Sequence, residues 1–161
     1  MKTTFAAIGL SLIGTTLAAP AAAAAPETTP TPNPYPVSIS NISLKHLIES
    51  DGYDFTFHAT SRTPYGEPIE SVYCHTAWNN NGPYPDTTTP EACAFIYSFF
   101  FPGGVANTES FTLTVRDEAG VEASAPIEQG PKYLCGPYQG EIGNIDTECR
   151  STNGGEFYLK V

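Results

Sequence analysis

The 161 residues carry seventeen acidic side chains against seven basic ones, a formal charge of −10, together with four cysteines and fifteen prolines. One of the seven cations is Lys2; beyond it six cations face all seventeen carboxylates, so the chain without its first residues carries −11. Such a surface repels phosphate backbones and anionic lipid, which argues against nucleic-acid or membrane partners and favours basic ones.

Lys2 is followed by an uncharged run from Phe5 to Ala25 whose apolar centre is Ile8, Leu10, Leu12, Ile13 and Leu17. A cationic start, an apolar middle and a small-residue exit describe a secretory signal over residues 1–25, with cleavage between about Ala18 and Ala25. Its Ala, Gly and Thr content and Pro20 make it a poor membrane anchor. No later segment has the roughly 20 apolar residues of a spanning helix. The mature chain is therefore expected outside the cell. Residues 26–36 hold five prolines in eleven positions, the composition of a stiff solvated spacer. A single domain is expected over 37–161, which is 161 less 36, or 125 residues.

In that domain Val37–Ile42 is a short β-branched run. Ser43–Glu49 fits either a short helix, with Leu44, Leu47 and Ile48 on one side, or a continuation of the first strand. Tyr53, Phe55, Phe57 and Ala59 alternate with Asp54, Thr56, His58 and Thr60, a half-buried antiparallel strand. Ile69–Trp78 is strand-like, and Ala92–Phe101 is apolar enough to be expected in the core on both faces. Phe111, Leu113 and Val115 open a strand, and Val115–Ser124 predicts a hairpin around Glu118-Ala-Gly120. Phe157, Leu159 and Val161 predict a last strand. Turn compositions at Pro64-Tyr-Gly66, Asn81-Gly-Pro83, Pro102-Gly-Gly104 and Asn153-Gly-Gly155 separate these elements. The fold class is all-β, a compact antiparallel β-barrel or sandwich, and periodicity leaves that choice open.

Cys74, Cys93, Cys135 and Cys149 all lie in the domain. In an oxidising compartment they read as two disulfides, with three pairings open. The sequential pairing closes loops of 19 and 14 positions, each worth about 3 kcal/mol in the chain-entropy model. No Cys-x-x-Cys arm or zinc-finger histidine offset is present, so no metal and no cofactor is expected.

No Gly-x-Ser-x-Gly elbow, His-Glu-x-x-His helix or phosphate loop occurs, and no catalytic residue is assigned. Of the histidines His46, His58 and His75, His58 shares a strand face with Asp54. Four residues along a strand separate the two by about 13 Å, and His58 reads as solvated. A small secreted hydrolase is one alternative function; it needs His58 or His75 against an acid in a cleft. Asn41-Ile-Ser43 is an N-glycosylation sequon. Trp78 and Tyr84 flank a polar loop and, with Tyr138, are the binding-loop candidates. Trp78 is expected to end its strand inside the core. A second alternative, binding of a carbohydrate or small ligand at the cell wall, requires Trp78, Tyr65 and Tyr84 to be coplanar and exposed.

The order of features carries a likeness. A leader precedes a short strand and Tyr53-Asp-Phe-Thr-Phe57; Cys74 stands near a strand end and Cys93 opens Cys-Ala-Phe-Ile-Tyr-Ser-Phe-Phe-Phe101. Phe111-Thr-Leu-Thr-Val-Arg-Asp117 then leads to Leu134-Cys-Gly136, Cys149 and Phe157–Val161. Over about 37–161 this resembles the family of the Alternaria major allergen and related secreted elicitors of filamentous fungi. The resemblance implies a compact antiparallel β-barrel, the sequential pairing Cys74–Cys93 and Cys135–Cys149, and a non-catalytic effector or elicitor that binds a host extracellular protein. Some members link two chains through an extra N-terminal cysteine; none stands before Val37 here, so a homodimer would be noncovalent.

Overall fold

A computed structural model describes residues 36–139 and 144–161. The expected signal segment and all of the expected spacer but Pro36 lie outside the described residues. Ten strands follow in order: β1 Val37–Leu47, β2 Gly52–Arg62, β3 Pro68–Asn79, β4 Glu91–Cys93, β5 Tyr97–Phe100, β6 Ser110–Asp117, β7 Glu122–Glu128, β8 Tyr133–Pro137, β9 Ile145–Ser151 and β10 Phe157–Leu159. Every ladder is antiparallel.

One sheet has the order β3-β2-β1-β9-β8, with β10 also on β1; the other has the order β4-β5-β6-β7. The alternating apolar sets fill the space between them. Ile39, Leu44, Phe55 and Phe57 from the first sheet, and Phe99, Leu113 and Ile127 from the second, are fully buried. Aromatic edges interlock across the layers, with Phe55 against Phe111 at 5.7 Å and Phe57 against Phe99 at 5.0 Å. The result is a sandwich. The sheets do not close into the barrel that the family resemblance implies. β7 meets the C-terminus of β10 through one bridge, Ser124 with Lys160, while β3 meets β4 through the Cys74–Cys93 disulfide and a 3.4 Å hydrogen bond from Thr76 to Glu91.

The sequential pairing holds, with Cys74 bonded to Cys93 and Cys135 to Cys149. The helix option for Ser43–Glu49 does not: β1 runs on to Leu47, hydrogen-bonded to β2 on one side and β9 on the other. A lone seven-residue helix pays nucleation for few bonds, whereas two neighbouring strands supply bonds on both sides. A bulge between Ser40 and Ser43 disguised the strand, because it moves the inward parity from Ile39 to Ile42 and Leu44.

Ala92–Phe101 is likewise not one buried strand. β4 and β5 form a hairpin in which Cys93 faces Tyr97, and the three turn residues between them put Phe95 at the tip, 97% exposed. Burial on both faces holds only for Phe99, Phe100 and Phe101, where the Arg116 guanidinium lies 5.1 Å over the Phe100 ring. The predicted hairpin after β6 is present: Asp117 donates its N–H to Val121 O, and Gly120 takes a φ of 83°.

Candidate functional site

The outward faces of β1, β9 and β8 carry an open groove, a hollow of about 590 Å³. Register explains what lines it. Lys45 faces Glu148 across the β1–β9 ladder, Ser43 faces Arg150, and on the far side Arg150 faces Leu134. Pro137 and Tyr138 close one end. Past Leu134 and Arg150 the surface continues into a second hollow of about 400 Å³ along Ser151, Thr152 and Asn153.

Its floor is rigid. Cys135 and Cys149 are a directly opposed pair, so their disulfide clamps β8 onto β9 beneath the groove. Tyr133 is fully buried, its hydroxyl donates to Thr108 O at 3.0 Å, and burial pushes its phenol pKa up. Ser43 Oγ donates to Glu148 Oε1 at 3.3 Å, which draws that carboxylate toward the serine. Arg62 is ion-paired with Glu156 and Arg116 with Glu122; Lys45 and Arg150 have no ion pair among the described residues. In so acidic a molecule the groove thus brings two cations without ion pairs among the described residues, half-exposed Lys45 and exposed Arg150, onto one surface beside the Glu148 carboxylate.

β8 is a sheet edge, yet it is poorly suited to adding a foreign strand. Tyr133 exchanges its backbone bonds with Gly130 at 3.1 and 2.8 Å, and Pro137 has no N–H. Recognition in this groove therefore falls to side chains.

The other predicted residues lie elsewhere. Trp78 is buried, stacked on Tyr53 at 5.3 Å and against Phe101 at 5.4 Å, so its place among the binding-loop candidates is corrected to the core. Tyr84 is partly exposed and lies over the glycine turn, its hydroxyl so near Gly104 that an added Cβ would sit 3.0 Å away. Tyr65 is in the turn at the opposite end of β3 from Trp78, and the coplanar aromatic platform is not formed. Tyr138 does line the groove. Asn41 is exposed on the β1 bulge.

The histidines are dispersed. His75 Nε2 lies 3.4 Å from Asp54 on the half-exposed sheet face, His58 meets Tyr73 edge-on, and His46 sits between Asp51 at 3.3 Å and Asp146 at 3.6 Å. Neither His58 nor His75 lines the groove. Among the described residues no three His, Cys, Asp or Glu side chains converge as metal ligands would.

Lys45, Glu148 and Arg150 carried no sequence signal. Thr147-Glu-Cys-Arg-Ser151 is polar on alternate and adjacent positions alike, so only pairing with β1 reveals which side chains face out together. No protein-family model, no curated protein and no solved structure matches the chain. The likeness to the Alternaria allergen family therefore rests on the order of strands and cysteines alone.

Proposed function

We propose that this is an exported, non-catalytic binding protein, a fungal effector or elicitor of the kind the family resemblance implies, that engages a host extracellular protein through the β1–β9–β8 groove. One observation carries the reading: two cations without ion pairs among the described residues, Lys45 and Arg150, meet on one open, disulfide-backed surface of an otherwise acidic chain. Leu134, half-exposed at 51%, and Tyr138 supply apolar contact beside them. An interface of that make-up anchors on Arg and aromatic groups and gains selectivity from the charges. Two disulfides suit a protein that works in an oxidising compartment.

The test is capture from plant apoplastic fluid with the mature chain from Pro26 to Val161, beside a reduced and alkylated sample and the double variant Lys45→Glu, Arg150→Glu. A partner held by the oxidised chain and lost by both controls is expected. Capture that survives the charge reversal removes the groove from the reading, and no selective partner from several hosts removes the binding function.

A further inference from the structure

We infer that Asn41 is an N-glycosylation site, with the sugar standing on the bulge where β1 changes partners. Along β1 the ladder with β10 ends at Ile39, and the ladder with β9 begins at Ser43. Between them Ser40 faces His58 and Ser43 faces Thr56, so three steps on β1 match two on β2. The extra residue is taken up where Asn41 has a φ of 51° and an exposed side chain. On the side away from β2 only the Ile42 N–H reaches across, to Ser151 Oγ at 2.9 Å. A central strand is normally flanked closely on both sides; here one flank is open at the acceptor, which is room for a first sugar.

A simpler account of Asn41 is that asparagine tolerates positive φ. That account covers the backbone but not the side chain. Asparagine used for local geometry characteristically bonds nearby backbone groups. The Asn41 carboxamide makes no hydrogen bond among the described residues, whereas Asn107 Oδ1 accepts from the N–H groups of Glu109 and Ser110 at 3.0 and 2.8 Å. An exposed, unengaged carboxamide two residues before Ser43 is what an acceptor site provides.

The order of synthesis also favours modification. Asn41 lies near the start of the exported chain, while β9 and β10 that enclose β1 lie more than 100 residues later, the Ile42–Ser151 contact alone spanning 109 positions. β1 therefore stays open until the end of the chain arrives. In the step itself, Asn41 Nδ2 attacks C1 of an oligosaccharide carried on a lipid pyrophosphate. The N–C1 bond forms, the C1–O bond to the pyrophosphate breaks, the amide loses one proton and the lipid pyrophosphate leaves. No oxidant or reductant is needed. The glycan would screen Ser40 and Thr56 and bound the groove on the Arg150 side.

This inference shares with the proposed function only the premise of export. The full chain with its own leader is expressed in a filamentous fungus, and the medium is treated with peptide-N-glycosidase. The expected result is a single downward shift in mass with Asn41 converted to Asp. Asn41→Gly, which keeps the backbone conformation, and Ser43→Ala should both be secreted and show no shift. Wild-type protein in the medium without a shift overturns the glycan while leaving export and groove binding intact. Retention of unshifted protein inside the cells overturns export, and the glycan with it.

Discussion

Replacing Cys74 and Cys93 together by Ala tests what joins the two sheets. The bond closes 19 positions, for which the chain-entropy model gives about 3 kcal/mol. The 14-position loop of Cys135–Cys149 also comes to about 3 kcal/mol on that model. The native-state consequences differ. Without Cys135–Cys149, β8 still pairs with β9 from Tyr133–Ser151 to Pro137–Thr147. Without Cys74–Cys93, the three-residue β4 keeps only its ladder to β5 and the Thr76–Glu91 hydrogen bond to the other sheet. Urea unfolding should show a loss of about 3 kcal/mol for each double variant. Hydrogen exchange should separate them: amides of the β4–β5 hairpin lose protection in Cys74→Ala, Cys93→Ala while β1 and β2 keep theirs. Equal loosening of that hairpin in both variants, or none in either, would refute the seam argument.

Glu156 gives a pH prediction. Desolvation pushes its pKa up, but hydrogen bonds from Ser38, Arg62 and Tyr158, with the charge of Arg62, outweigh it and leave the carboxyl below its ordinary 4.5. A depressed folded-state pKa contributes stability above the unfolded value and loses it as pH falls through the folded one. The advantage of the wild type over Glu156→Gln should therefore be full above about pH 4.5 and vanish further down; an advantage independent of pH contradicts the assignment. Asp86 accepts from the hydroxyls and backbone N–H groups of Thr88 and Thr89, led by the Thr88 hydroxyl, and these hold its carboxyl at about 2 rather than 3.8. Its carboxyl carbon should titrate by NMR near that lower value and move upward in Thr88→Val, Thr89→Val; an ordinary midpoint in the wild type would reject the cluster. Phe55→Ala, at a fully buried ring with four aromatic neighbours, should cost about 3–5 kcal/mol, whereas Phe95→Ser at the exposed hairpin tip should stay within about 0.5 kcal/mol. Similar losses at both positions would overturn the placement of Phe95.

Period-two alternation was readable wherever one sheet face is wet and the strand is unbroken, as in Tyr53–Thr60 and Phe111–Arg116. It failed at three places for distinct reasons. The bulge at Asn41 shifts the inward parity of β1 in mid-strand, so its second half resembled a helix. The turn at Ala94–Ile96 uses apolar residues where turns ordinarily carry Gly or Asn, and Ala94 itself takes a φ of 55°, so an exposed tip read as core. β8 and β9 are polar or glycine- and proline-bearing, and their strand character comes from each other and from β1 rather than from local preference. The candidate site suffered most, because it is made by register. Tyr138 was legible as a candidate, but the meeting of Lys45 with Arg150 across 105 positions was not.

The same long-range closure assigns the two disulfides different kinetic roles. Joining β1 to β9 brings together Ser43 and Arg150, and closing so long a loop costs about 2 kcal/mol more than closing one of about ten residues. That cost falls on the step that assembles the five-stranded order, and anything that readies β9 beforehand makes the step easier. Cys135–Cys149 does so, since it holds β8 on β9 as one hairpin, and Cys149 itself then faces Leu44 of β1. Cys74–Cys93 acts later, on a seam formed after the first sheet is in place. If half of the first bond's roughly 3 kcal/mol is felt in the transition state, Cys135→Ala, Cys149→Ala should refold about tenfold more slowly. Cys74→Ala, Cys93→Ala should instead refold at nearly the parent rate and unfold faster. Stopped-flow chevrons of the two variants decide it: an unchanged refolding limb in the first, or a slowed one in the second, would mean that closure of β1 on β9 does not set the pace.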